Sequence, residues 1–136
     1  MISLAQAQTV LSAGLAHARA NGLKPLGMVV LDAGGHLLAA AREDGATFFR
    51  TDIARAKAYG ALGMGVDTAV IADRAKSNPA FYSGIVTTLG GDVVFSPGGV
   101  LVKDAQGLVV GAVGASGDTG DKDVECVMAG LAAAGF

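Results

Sequence analysis

Tryptophan is absent from this chain of 136 residues, cysteine and aromatic side chains are scarce, and only 16% of positions carry a charge. A single cysteine, Cys126, permits neither an internal disulfide nor a cysteine metal cluster. The two histidines, His17 and His36, form no H-x-x-x-H spacing, and the scattered acids Asp44, Asp118, Asp121 and Asp123 lack the glutamate that completes a calcium loop. No metal site built wholly from side chains is expected. With a net charge of −2 and no cluster of Lys and Arg, the chain also lacks the electrostatic footprint of a nucleic-acid binder. No run approaches the roughly 20 apolar residues of a membrane span, and no basic stretch precedes an apolar core at the N-terminus. Together these absences point to a cytoplasmic protein.

What the chain does have is apolar and small: 51% hydrophobic residues and 21 glycines. The length suits one domain, 1–136, with a sizeable core. So little charge leaves less polar material than a monomer's surface needs, which predicts a homo-oligomer.

The chain is organised around Pro97–Gly117. Val100–Lys103 and Leu108–Val113 are rich in strand formers and flank Asp104-Ala105-Gln106-Gly107, whose Asp opening and Gly close suit a tight turn. Met28–Leu31 and Leu37–Ala41 flank Asp32-Ala33-Gly34-Gly35 in the same way, so two similar hairpins are expected in one antiparallel sheet. Ser3-Leu4-Ala5-Gln6 reads as a capping box opening a helix to about Ala20, with Leu4, Leu11, Leu15 and Ala18 on its apolar stripe. A second helix covers roughly Phe48–Leu62, and a short one Thr68–Ala75. Beyond Asn78-Pro79 the chain is helical or irregular to about Leu89. Asp92–Ser96 reads as a short strand. The acid-rich stretch from Asp118 opens the last helix, whose buried stripe is expected to be Val124, Val127, Met128 and Leu131. Without the strand and helix alternation that parallel sheets need, the class is α+β, an antiparallel sheet with helices packed on it.

The chemistry-bearing residues leave alternatives open. Lys57 lies on a narrow stripe of small residues and is either a lysine reaching from its edge to solvent or a carboxylate, or a desolvated catalytic amine. Ser116 makes a poor nucleophile elbow, but its N–H and that of Gly117 could bind an anion at a helix start, with Arg42 as a second hold on a carboxylate. Asp123 and Glu125 fall about 200° apart on a helical wheel and would not meet at one atom. His17 lies about 130° from the centre of its helix's stripe, at an edge that solvent or a partner subunit could reach. Since a haem needs only one axial ligand from the protein, His17, and less readily His36, is a candidate iron ligand.

Five segments in order carry a family likeness: V-V-L-D-A-G-G-H-L from Val29, R-E-D-G-A from Arg42, I-A-R-A-K-A from Ile53, P-G-G-V-L-V from Pro97 and G-A-V-G-A-S-G-D from Gly111. Together they resemble the GlcG/HbpS family, which includes the C-terminal domain of PduO-type proteins. The resemblance implies a five-stranded antiparallel sheet flanked by helices, profilin-like in outline, homo-oligomers from dimers up to octamers, and a haem-binding or haem-degrading role. Carried over position by position, it singles out Arg42, Asp44, Lys57, Ser116 and Asp123, with Gly98, Gly99 and Gly117 as backbone. Two departures stand out: Leu101 where the family usually has Pro, and Asp123-Val124-Glu125 where it usually has adjacent acids. Two functions follow as expectations. One is a haem- or tetrapyrrole-binding protein using His17 or His36. The other is a small enzyme, an isomerase, tautomerase or hydrolase, that holds a carboxylated metabolite with Arg42 and the Ser116–Gly117 amides and moves protons with Lys57 or Asp123.

Overall fold

The computed structural model describes residues 1–136. Its elements follow the order α1 (Leu4–Ala20), β1 (Gly27–Asp32), β2 (Leu37–Arg42), α2 (Phe49–Met64), α3 (Thr68–Ser77), α4 (Pro79–Thr88), β3 (Gly99–Lys103), β4 (Val109–Ser116) and α5 (Gly120–Ala133). The capping box at the start of α1 is present in full, with the Ser3 N–H donating to Gln6 Oε1 at 2.9 Å and the Gln6 N–H to Ser3 Oγ at 3.1 Å.

Both hairpins form, and the same device closes each. Asp32 Oδ1 accepts from the Gly34 and His36 N–H groups, and Asp104 Oδ1 accepts from those of Gln106 and Leu108, all at 2.9 Å. Gly35 and Gly107 take the positive φ, 83° and 81°, that each turn then requires. The hairpins join through β1 and β4 into one antiparallel sheet of order β2-β1-β4-β3.

The sheet therefore has four strands, not the five expected. Asp92–Ser96 forms no strand: it has no regular structure up to Phe95 and bends at Ser96, the Val94 N–H donates to the Ala56 carbonyl of α2, and buried Val93 packs there. The edge it leads into, that of β3, is already satisfied. Thr68 Oγ1 accepts from the Gly99 N–H at 2.9 Å, and Asp67 Oδ1 accepts from the Leu101 N–H at 2.8 Å, so the start of α3 caps the outer rim of β3.

Helices cover both faces of the sheet. Met28, Val30, Val100, Val102, Val113 and Ala115 point towards Val10, Leu11, Val127 and Leu131 of α1 and α5. The alternate residues Val29, Leu31, Leu101 and Ala112 meet Ala54, Ala58 and Ala61 of α2. Burial on both sides explains why β1 and β4 read as unbroken apolar runs rather than as an alternation. The approach of α2 is close: a Cβ on Gly114 would collide with the Ala54 carbonyl oxygen, and one on Gly99 with that of Lys57.

The buried stripes of α1 and α5 differ from those expected. On α1 the stripe is Ala7, Val10, Leu11, Gly14 and Ala18, rotated by about 55° on a helical wheel, which leaves Leu4 exposed. On α5 it is Asp123, Cys126, Val127, Gly130 and Leu131, rotated by about 80°, which leaves Met128 exposed. The cause is that glycines rather than large residues mark the seam. A Cβ on Gly130 would strike the Val10 carbonyl, and one on Gly14 would lie 2.9 Å from that of Cys126.

A Gly114→Ala substitution should destabilise the fold by about 1–3 kcal/mol, since the added methyl has no space against α2. Gly63→Ala, where an added Cβ meets nothing within 4 Å, should be neutral or stabilise by about 0.5–1 kcal/mol through helix propensity. Urea denaturation of the two variants measures both effects.

Candidate functional site

Gly98, Gly99, Lys57, Ser116, Gly117 and Asp123 come together where α2, the end of β4 and the start of α5 meet. Lys57 is 3% exposed and Asp123 1%. Its Nζ donates to Asp123 Oδ2 and to the Ala115 carbonyl, each at 3.0 Å. Asp123 Oδ1 accepts from the Asp118 N–H at 3.0 Å, and the Gly117 N–H is near enough to favour the charged carboxylate. The amides at the start of α5 thus hold an anion, and that anion belongs to the protein itself. Burial pushes the Asp123 carboxyl above the ordinary carboxylate range, against the opposing pull of Lys57 and the two amides.

The glycines of this cluster make room for the lysine. Gly98 has φ 130°, and a side chain there would lie 2.9 Å from Lys57 Nζ. Ser116 Oγ accepts from Arg50 Nη1 at 3.2 Å, so the arginine that reaches the serine is Arg50 on α2, not Arg42. Arg42 and Ser116 both oppose Gly27, one on each side of β1, which separates their backbones by about 10 Å across two strand spacings.

Arg42 and Asp44 lie apart from this cluster, in an exposed polar hollow of about 400 Å³ shared with Arg19 and Glu43. Glu43 accepts from Arg19 Nε at 2.8 Å and from the Leu26 N–H at 2.9 Å. Glu43 and Arg50 were not singled out in the sequence, because each depends on a partner distant along the chain.

The histidines occupy different ends of the molecule. His36 sits beside the first hairpin turn with its Nδ1 3.3 Å from Asp32 Oδ1 and its side chain 82% exposed. His17 lies in the groove between α1 and α5, where rotation of the α1 stripe has carried it inward. Its Nδ1 is 3.5 Å from Asn21 Nδ2, and its Nε2 is 3.7 Å from Glu125 Oε2, beyond hydrogen-bonding distance. That Nε2 is the one buried side-chain nitrogen or oxygen without a hydrogen-bond partner. Where α5 packs on Ala18 of α1 and Leu26, burial pushes the Cys126 thiol up to about 11. Five surface hollows of about 230–530 Å³ have none of His17, Lys57 or Asp123 in their walls.

Two outcomes follow from this geometry. Lys57→Met strands the Asp123 carboxylate in a dry site and should cost about 3–5 kcal/mol, whereas adding Asp123→Asn to it should recover much of the loss; chemical denaturation of the single and double variants measures both. Cys126 should resist iodoacetamide in the folded protein at pH 8 and react once urea unfolds it, as mass spectrometry would record.

The family model for the haem degrading protein HbpS-like group matches residues 2–132. A search of curated proteins found no sequence match. Among solved structures, the PduOC–haem complex is 25% identical with a TM-score of 0.87, over 97% of this chain and 94% of that one. Protein ORFY of Klebsiella pneumoniae is 28% identical with a TM-score of 0.88, over 98% and 90%. A double mutant of HbpS from Streptomyces reticuli is 28% identical with a TM-score of 0.84, over 99% and 88%. A match that takes in both hairpins, α2 and nearly all of α5 leaves only the chain ends outside it: the chain belongs to the HbpS-like family.

Proposed function

We propose that this chain is a haem- or tetrapyrrole-binding protein of the GlcG/HbpS type, and that His17 is the residue that would ligate the iron. The observation that carries the reading is the orphaned His17 Nε2. A buried polar atom left without a partner costs about 1–3 kcal/mol, and an imidazole nitrogen is the usual donor to haem iron, so this side chain fits the group. Ala13 and Ala20 flank His17 on the same face of α1, four residues before it and three after, and leave the helix surface low enough for a flat macrocycle. Asn21 steadies the ring from the Nδ1 side. Bound haem would supply an iron centre for electron transfer or oxygen chemistry. A relative crystallised with haem supports the reading.

The cytoplasmic location and the homo-oligomer, from dimer up to octamer, belong to the same proposal. Phe48, Phe49, Phe81 and Leu108 are all exposed, and covering them by a second copy would bury apolar surface. Catalysis by Lys57 and Asp123 on a carboxylated metabolite draws less support, because the two are spent on each other and on the Ala115 carbonyl and the Asp118 N–H.

Haemin added to the purified protein should give a sharpened, shifted Soret band. His17→Ala should weaken binding by about tenfold or more, since an axial bond is lost, while His36→Ala should leave it within about twofold. A Soret titration that follows His36 instead, or neither histidine, overturns the assignment.

A further inference from the structure

The half of α2 beyond Lys57 borders a cleft that holds none of the candidate site residues and that the haem reading does not use. It has a volume of about 530 Å³ and lies between the C-terminal part of α2, the first hairpin turn and α4. It is on the α2 face of the sheet, whereas His17 is on the α1 and α5 face. Its walls include Tyr59, Met64, Ile85, Thr88, Leu89 and Val93, and no charged side chain lines it.

We propose that this cleft binds an uncharged, flat, mainly hydrocarbon molecule bearing one hydrogen-bonding oxygen or nitrogen. Its volume falls within the roughly 300–1,000 Å³ of small-ligand sites. A charged group entering it would lose its water and meet no counter-charge, which selects for a neutral ligand. Two polar groups are placed to orient that ligand. The Tyr59 phenol takes no part in the side-chain hydrogen bonds of the chain and is free to donate. Thr88 Oγ1 spends its proton on the Gly84 carbonyl at 2.8 Å and keeps its lone pairs as acceptors. The Met64 thioether adds a polarisable contact for an aromatic ring.

The far wall suits entry and exit. Every residue of α4 is exposed or half-buried, so the helix is held by little and can shift outward at small cost. The near wall is firm: Gly60 abuts Phe95, with an added Cβ 3.2 Å from its ring. Gly63 differs, since a Cβ there meets nothing within 4 Å although the residue lines the cleft. A leucine at that position fills the cleft without disturbing the packing.

N-phenyl-1-naphthylamine, a neutral flat fluorophore, is the probe. The wild-type chain should bind it with a blue-shifted, enhanced emission. Gly63→Leu should weaken binding by about tenfold or more and Tyr59→Phe by about two- to tenfold. Gly84→Leu, a helical glycine on α4 that does not line the cleft, should bind as the wild type and so controls for folding. 1-Naphthol should compete at least about tenfold better than 1-naphthoate, which carries the excluded charge. The proposal is overturned if the wild type fails to bind the probe, if Gly63→Leu binds it unchanged, or if the naphthoate competes equally. It is also overturned if Gly63→Leu changes the oligomeric mass, which would make the cleft a contact between copies. Haem binding is read separately through the Soret band and His17→Ala. Haemin that displaces the probe and loses its own spectrum in Gly63→Leu would place haem here and overturn both assignments.

Discussion

One dry ion pair fixes the relative positions of three elements. The Lys57 ammonium reaches from α2 across the end of β4, takes the Ala115 carbonyl on the way, and finishes on Asp123 at the start of α5. Removing two charges from water is costly, and the gain is returned only where every donor and acceptor finds a partner. That condition constrains its surroundings. It accounts for the missing side chain at Gly98, the amides of Gly117 and Asp118 turned onto the carboxylate, and the seating of α2 against glycines of the sheet. The pair joins the two layers on opposite sides of the sheet, so packing on one face is transmitted to the other.

This arrangement bears on how function is divided. Residues that resemble catalytic groups in the sequence are consumed in holding the fold, and those left free lie elsewhere. His17 faces a carboxylate it does not reach, in a seam set by two glycines. Tyr59 is stacked under Arg55 at 5.2 Å with its hydroxyl uncommitted. Spare bonding capacity, rather than chemical reactivity of the residue type, separates the two groups.

The parts of the structure legible in the sequence are those decided within a few residues. The Ser3–Gln6 cap and the two Asp-opened, Gly-closed turns each depend on groups at most four positions apart, and each forms as its residues dictate. Less legible were features set by distant partners. Asp92–Ser96 has strand-forming residues, yet the rim it would join is taken by Asp67 and Thr68, more than 30 positions away from the strand they cap. Helical periodicity centres the stripes on the largest apolar residues, whereas the contact runs along Gly14 and Gly130, where backbones touch. Of the proposed site residues, Lys57, Ser116, Asp123 and the three glycines share one place, and Arg42 and Asp44 do not, because a strand of the sheet intervenes.

The two margins of the sheet are unequal. β3 is stoppered by the side chains that open α3, while β2 presents its outer backbone groups and an exposed Leu37 to the surroundings. Chains can therefore be added along one side only, and two such open sides that meet use each other up. A sheet built this way can double but cannot run on into a fibril, a safeguard suited to a sequence so rich in alanine, valine and glycine.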